Sequence, residues 1–174
     1  PISIGVKNVS QNEIKVACIN CTISKKTSHH YLVRVSNVGA HAKVVINHKE
    51  QLLKEVEFAV KRIPNPTPIL AAKRTLNNQY TVEEFQEVVG VVMLLENLDY
   101  DAVCSTQGFY LTRITKDGVR RTFANKRGSF MGNARNAVED AASGDIYIFD
   151  RLKSKCSGDK SIRSHRTAIV AYIK

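Results

Sequence analysis

The residues best equipped for chemistry in this 174-residue chain are its four cysteines. Cys18-Ile19-Asn20-Cys21 has the C-x-x-C spacing that serves zinc sites in pairs and dithiol redox centres when a helix follows. A lone pair supplies two of the four ligands zinc takes, and neither a following helix nor a strand-helix-strand pattern supports a redox site. In a strand, positions i and i+3 face opposite sides, which leaves two independent thiols or a disulfide spanning a turn. Cys104 and Cys156 lie in corresponding positions of two strand-like segments. They are either two separate buried thiols or a disulfide closing about 50 residues, which would constrain the unfolded chain by roughly 4 kcal/mol and argue for an oxidising compartment.

The remaining candidates are weaker. His29-His30, with His41 and His48, have no carboxylate or cysteine at helical or hairpin spacing and read as solvated loop residues, not metal ligands. Asp145 and Asp150 could be imagined as a glycosidase pair, but turn and cap roles at strand ends are commoner for aspartate. Arg120-Arg121 with Lys126-Arg127-Gly128-Ser129-Phe130 is the densest basic stretch. Arg-Gly-x-Phe is a fragment of an RNA-binding strand motif whose other parts are missing, so a basic hairpin edge is the better reading, and residues 120–127 are the candidate face for an acidic partner. No G-x-S-x-G, no glycine-rich phosphate loop entering a helix and no H-E-x-x-H occurs. The expectation is a non-enzymatic protein without cofactor or metal.

These residues are placed by elements whose signals are mostly β. Short alternating segments at residues 2–6, 14–19, 31–35, 42–46 and 56–61, with turn formers between them, predict a half-buried antiparallel arrangement, an immunoglobulin-like sandwich with a barrel as the competing answer. Pro64, Pro66 and Pro68 then fix their own φ, lack N–H donors and push their neighbours into extended geometry, which predicts a stiff interdomain connector. Beyond it, Thr81-Val82-Glu83-Glu84 has capping-box spacing for a short helix. Residues 91–95 predict a buried strand and residues 103–114 a long one with a bulge at Gly108. Asp117-Gly118 predicts a type I′ hairpin, which needs positive φ at both positions. Asn133 is placed to cap a helix carrying Ala134, Ala137, Val138 and Ala141, with Gly144 as its stop. Strands at 145–150 and 167–173 close the chain. The fold class is therefore mainly β, with an immunoglobulin-like domain over 1–63 and a β-rich domain with one or two short helices over 64–174.

Composition bounds the function. Hydrophobic residues at 43% and charged residues at 24% are ordinary globular values. The longest apolar run, residues 88–95 broken by Gly90, is far short of the ~20 residues a spanning helix needs. Lysine and arginine outnumber acids 26 to 16, a formal +10, which suits nucleic acid, anionic glycan or an acidic protein partner. Both halves are basic, and with no tryptophan the chain has little for stacking on single-stranded nucleic acid. The first residue is proline and not methionine, which reads as a mature product or an excised fragment.

A family resemblance is carried by Lys61-Arg62-Ile63-Pro64-Asn65-Pro66, Glu84-Phe85, the stretch Val92-Met93-Leu94-Leu95-Glu96-Asn97-Leu98-Asp99-Tyr100-Asp101, Gln107-Gly108-Phe109-Tyr110-Leu111-Thr112-Arg113, Gly132-Asn133-Ala134, Gly144-Asp145-Ile146-Tyr147 and Cys156-Ser157-Gly158-Asp159. In this order they resemble the C-terminal periplasmic region of the GldM/PorM family, and Pro1-Ile2-Ser3-Ile4-Gly5-Val6 resembles the start of the preceding domain. The resemblance implies a homodimeric periplasmic part of the type IX secretion and gliding apparatus, anchored in the inner membrane by a helix outside this sequence. It implies a GldL/PorL-like membrane partner and GldK/GldN-like ring partners, and it favours the Cys104–Cys156 disulfide. The chain departs from the family at Asn65, where aspartate is usual, and in carrying Cys18 and Cys21. The alternative is a secreted binding module whose basic surface takes anionic glycan or nucleic acid.

Overall fold

The computed structural model describes residues 1–7, 9–71, 76–96 and 102–174. The chain divides into two compact units, Pro1–Ile63 and Pro64–Lys174. It is mainly β with several sheets. Ala72 and the motif residues Asn97, Leu98, Asp99, Tyr100 and Asp101 lie outside the described residues.

In the first unit, β1 (Ile2–Ser3), β4 (His30–Arg34) and β3 (Thr22–Lys25) form one antiparallel sheet in the order β1-β4-β3, and β2 (Ile14–Ile19), β5 (His41–His48) and β6 (Gln51–Ala59) form another in the order β2-β5-β6. Strict alternation in β5 turns Ala42, Val44 and Ile46 inward. Val44 and Ile46 join Ile4, Ile14 and Tyr31 in one apolar cluster fed by both sheets. Two strands differ from the expectation. β3 had no expected counterpart, because Thr22-Ile23-Ser24-Lys25 offers a single apolar residue. β6 starts at Gln51 and not at Val56, and the continuous exposure of residues 51–55 explains why no period-two signal marked its first half.

In the second unit, β7 (Thr67–Leu70) pairs antiparallel with β9 (Val91–Leu94). The larger sheet runs β11 (Arg120–Asn125), β10 (Cys104–Ile114), β12 (Ile146–Cys156), β14 (Ile169–Ile173) and β8 (Gln79–Tyr80), with β13 (Arg163–Ser164) also on β12. Among the described residues, only the β14–β8 pairing in this sheet is parallel. One face presents Phe109 and Leu111 of β10, Tyr147 and Phe149 of β12 and Ala171 of β14. It is covered by Phe85 of α1 (Val82–Gln86) and by Ala137 and Val138 of α2 (Asn133–Glu139). Phe85 lies 4.4 Å from Tyr147 between ring centroids, and Phe130 stacks on Phe149 at 5.7 Å.

The capping box is formed as the sequence predicts: Glu84 N–H donates to Thr81 Oγ1 and Thr81 N–H to Glu84 Oε2. The Gly108 irregularity is present too, as register shifts against β12 on both sides of that residue. Other details differ. Pro68 lies inside β7 opposite Met93, which a strand with a single partner tolerates because alternate N–H groups point away from the pairing. The 115–119 hairpin takes positive φ at Gly118 alone (82°), with Gly118 N–H donating to Thr115 O, so it is a longer loop and not a type I′ turn. Asn133 is the first helical residue; the cap position is Gly132, at φ 50°. Val89 and Val92 are exposed, so the apolar run at 88–95 feeds the core through Val88, Val91 and Met93.

Candidate binding surface

Arg120 and Arg121 stand on β11, the edge strand of the larger sheet, and Lys126 and Arg127 on the loop that leaves it; all four are exposed. The loop turns back because Asn125, buried on β11, holds it from within: its Nδ2 donates to the carbonyls of Arg127 and Ser129 and its Oδ1 accepts from Met131 N–H. That clasp brings Gly128 against β9. Val91 N–H donates to Gly128 O (2.9 Å), Phe130 N–H to Val89 O (3.0 Å), and Gly90 bridges Ser129. A Cβ on Gly90 would run into the carbonyl of Gly128, and one on Gly128 would come within 2.9 Å of Val91 O, so both positions need the missing side chain.

Where β9 then diverges from β10 there is a cleft of about 280 Å³. Val89, Val92 and Met93 line one side, Cys104 and Thr106 the other, and Arg127 the rim. Thr106 Oγ1 donates to Val91 O (2.7 Å) and closes the inner end. Sequence reading placed Arg127 on a basic edge but missed this cleft. Its walls are 11 or more residues apart in the chain, and its single local signal was Gly128.

Cys104 and Cys156 face one another across β10 and β12 and are joined by a disulfide. Cys18 and Cys21 are joined across the β2–β3 turn, where Asn20 takes φ 58°. Just beyond Cys156, Asp159 Oδ2 accepts from Cys156 N–H (2.8 Å) and its carboxylate grips Arg163 at two points, Nε–Oδ2 2.8 Å and Nη2–Oδ1 2.7 Å. Arg163, buried on β13, donates in turn from Nη1 to Pro64 O (2.8 Å) and to Asn65 Oδ1 (3.4 Å). Pro64 and Pro66, expected to form a stiff interdomain connector, fall within the second unit, and Pro66 is buried. The proline stretch and the Cys156-Ser157-Gly158-Asp159 stretch meet through one guanidinium.

The other candidates fall into structural places. Asp145 is 2% exposed and takes a salt bridge from Arg113 Nη2 (2.7 Å) and a hydrogen bond from Ala142 N–H, while Asp150 lies inside β12 opposite Tyr110. His41 bridges Glu57 (3.4 Å) and His48 bridges Glu13 (3.3 Å), and His29 and His30 are exposed. Among the described residues no three or more His, Cys, Asp or Glu side chains gather as a metal site. One pair resembles a nucleophile and base: Ser154 Oγ lies 2.8 Å from His165 Nε2. Burial and the nearby Arg163 charge hold the His165 pKa low, which favours the neutral ring. Ser154 is fully enclosed, however, and no substrate reaches its oxygen.

A disulfide-pinned β scaffold, an apolar cleft and a basic rim are the equipment of a binding module. A family model for the GldM C-terminal domain matches residues 64–173, and the chain belongs to that family. The family is one of gliding-motility and type IX secretion machinery and is not a known enzyme family. No curated protein matches the chain.

Proposed function

We propose that the chain is a non-enzymatic structural and interaction module of a GldM-like protein. It acts in the periplasm as a homodimer, in a protein held in the inner membrane by a segment outside this sequence. Among the described residues no helix is long and apolar enough to cross a membrane. In this role it links a GldL/PorL-like motor component to GldK/GldN-like ring proteins. We read the first unit, with two three-stranded sheets around one apolar cluster, as its immunoglobulin-like part.

The observation that carries the reading is the clasp at the start of the second unit. Pro64 O is held by Arg163, Arg163 by Asp159, Asp159 by the Cys156 amide, and Cys156 by a covalent bond to Cys104. A pull on the backbone at Pro64 is thereby delivered to the two longest strands of the unit, β10 and β12, as a transmission part requires. Arg163→Ala removes the two-point ion pair from a mostly buried carboxylate, at an expected cost of about 3 kcal/mol. Arg163→Lys restores only part of this, because an ammonium cannot make the two-point contact. The urea unfolding midpoint of each variant checks both statements.

Function is tested by co-purification of the tagged full-length protein from its native envelope. Ring proteins that stay bound through high-salt washing support the reading. Recovery without them, together with binding to heparin or DNA that weakens by several orders of magnitude between about 50 and 200 mM salt, would favour the anionic-polymer module instead.

A further inference from the structure

We infer that the free edge of β11 takes an extended, acidic segment of a partner protein as an added antiparallel strand, with two carboxylates against Arg120 and Arg121 and two apolar side chains beside Phe123 and Ala124. The inference rests on the interaction-module reading and gives that module a docking edge.

The backbone makes the first part of the case. β11 ends the larger sheet, with β10 as its neighbour, and the two run in unbroken register from Phe109 opposite Asn125 to Ile114 opposite Arg120. Bonds on both sides of the pair fix which groups face inward. Thr115 N–H donates to Val119 O (3.0 Å), and bonded pairs alternate between antiparallel strands, so Arg121, Phe123 and Asn125 are the residues that bond β10. Ile173 N–H donates to Asp145 O (3.0 Å), which turns Tyr147 and Phe149 toward β14 and Ile146, Ile148 and Asp150 toward β10. That leaves Leu111 and Arg113 of β10 for β11, the same assignment. The N–H and C=O groups of Arg120, Thr122 and Ala124 therefore point out of the sheet, and among the described residues no strand of the second unit pairs with them. The residues of that unit outside the description fall between β7 and β8 or between β9 and the Cys104 end of β10, whereas these groups lie level with Tyr110 to Ile114. A row of outward donors and acceptors is what an added strand satisfies and a compact ligand does not. β11 carries neither a proline nor a register shift, so what guards this edge is charge.

Side chains say what kind of strand. Residues 116–127 hold Lys116, Arg120, Arg121, Lys126 and Arg127 against the single acid Asp117. A second copy paired edge to edge would line two such rows along one seam, so the charge that keeps like chains apart selects an acidic one. Arg120 and Arg121 are exposed, make no ion pair among the described residues, and stand on opposite faces of the strand, where two successive carboxylates of an added strand meet one each. Phe123 is half-buried against the core, on the face that α2 covers. Ala124 is exposed on the other face, opposite Tyr110, which is 38% exposed. A valine opposite Phe123 extends the apolar cluster outward, and an aromatic side chain opposite Ala124 reaches over that small residue toward Tyr110, each removing apolar surface from water. From its N-terminus, the complementary antiparallel segment is thus an aromatic residue, valine, threonine and two acids. The edge is formed in advance, with Thr122 Oγ1 lying 2.9 Å from Thr112 Oγ1 and Asn125 anchored beyond it, so little ordering opposes binding.

The test uses the whole 174-residue chain and fluorescein-labelled, blocked peptides built on the run tyrosine-valine-threonine-glutamate-glutamate. A second peptide has lysine for both glutamates. A third is the first methylated at the amides of tyrosine, threonine and the second glutamate, which would bond Ala124, Thr122 and Arg120, and a fourth is methylated at the amides of valine and the first glutamate, which would face away. Saturation by about 1 mM is expected for the first peptide, with the fourth within about threefold of it and the second and third at least about tenfold weaker. The Arg120→Glu/Arg121→Glu double variant, altered at exposed positions only, should prefer the lysine peptide. Amide hydrogen exchange should slow at Arg120, Thr122 and Ala124 when the first peptide is bound and stay unchanged at Arg121 and Phe123, which already bond β10. Absence of saturation at several millimolar peptide overturns the inference, as do protection elsewhere or insensitivity to the double variant. Equal losses from the two methylated peptides would also overturn it, by showing attraction of charge without strand addition. Self-association of the chain that the first peptide displaces would overturn it in favour of a second copy as occupant. Ring proteins that co-purify with the double variant as well as with the parent would leave the interaction-module reading standing while removing this edge from it.

Discussion

Tyr147 shows how much one side chain holds in the second unit. Its ring is fully buried against Phe85, its hydroxyl donates to Ala137 O of α2 (2.6 Å), and the Arg113 guanidinium lies 5.9 Å from its ring centroid. Burial pushes the phenol pKa well above its ordinary value, with Asp145 and Asp140 adding to the rise and Arg113 opposing it. Tyr147→Phe keeps the ring and leaves the Ala137 carbonyl unsatisfied, an expected loss of about 1–2 kcal/mol at neutral pH. The pH dependence has a definite sign. Because the folded state holds this proton more tightly than the unfolded chain, whose phenol titrates near 10, the contribution is constant below pH 10 and shrinks as pH rises through and beyond it. The stability gap between parent and Tyr147→Phe, read from urea midpoints, should therefore be level from pH 7 to 9 and close progressively above 10. A gap that widened with alkali would show that the hydroxyl is not held in its neutral form.

At the scale of elements, the two disulfides do different work. Cys104–Cys156 closes 52 residues and ties β10 to β12, while Cys18–Cys21 closes 3 within one turn. On loop entropy alone the first is worth about 4 kcal/mol and the second about 1.5. Calorimetry of the two double cysteine-to-serine variants should show the larger fall in the melting temperature for Cys104/Cys156. Equal falls would mean that the entropy of loop closure is not what these bonds contribute. Elements written in local chemistry were legible in the sequence: the Thr81/Glu84 capping box, the Gly108 irregularity and the inward alternation of β5. Elements that depend on distant partners were not. The first half of β6 carries Leu52 and Leu53 on an exposed edge, where no alternation is imposed by a core. β12 continues past Asp150 because the shift at Gly108 on β10 is answered on β12, where Arg151 takes φ 47° and lays its guanidinium 5.1 Å over the Tyr110 ring. Nothing within five residues of Arg151 signals that adjustment. The same holds for the candidate cleft. Arg127 was visible as charge, but its apolar wall comes from Val89, Val92 and Met93, which the sequence alone assigns to the core.

At the scale of the whole chain, the two apolar clusters share no residue. One draws on positions from Ile2 to Ile46 and the other on positions from Leu70 to Ile173. The contacts of Arg163 with Asp159, Pro64 and Asn65 lie within the second unit. A chain cut before Pro64 therefore keeps its core, its disulfide, its clasp and the cleft. The fragment 64–174 is expected to unfold in a single cooperative transition in urea, with a slope appropriate to its own size, and to keep its disulfide during purification without reductant. Adding Arg163→Ala to the fragment should lower the midpoint by the same free energy as in the full chain, because additivity holds for sites without shared partners. A fragment that is soluble but melts without a cooperative transition would show that residues before Pro64 complete its core. A larger Arg163→Ala effect in the full chain would show that the clasp also serves the first unit.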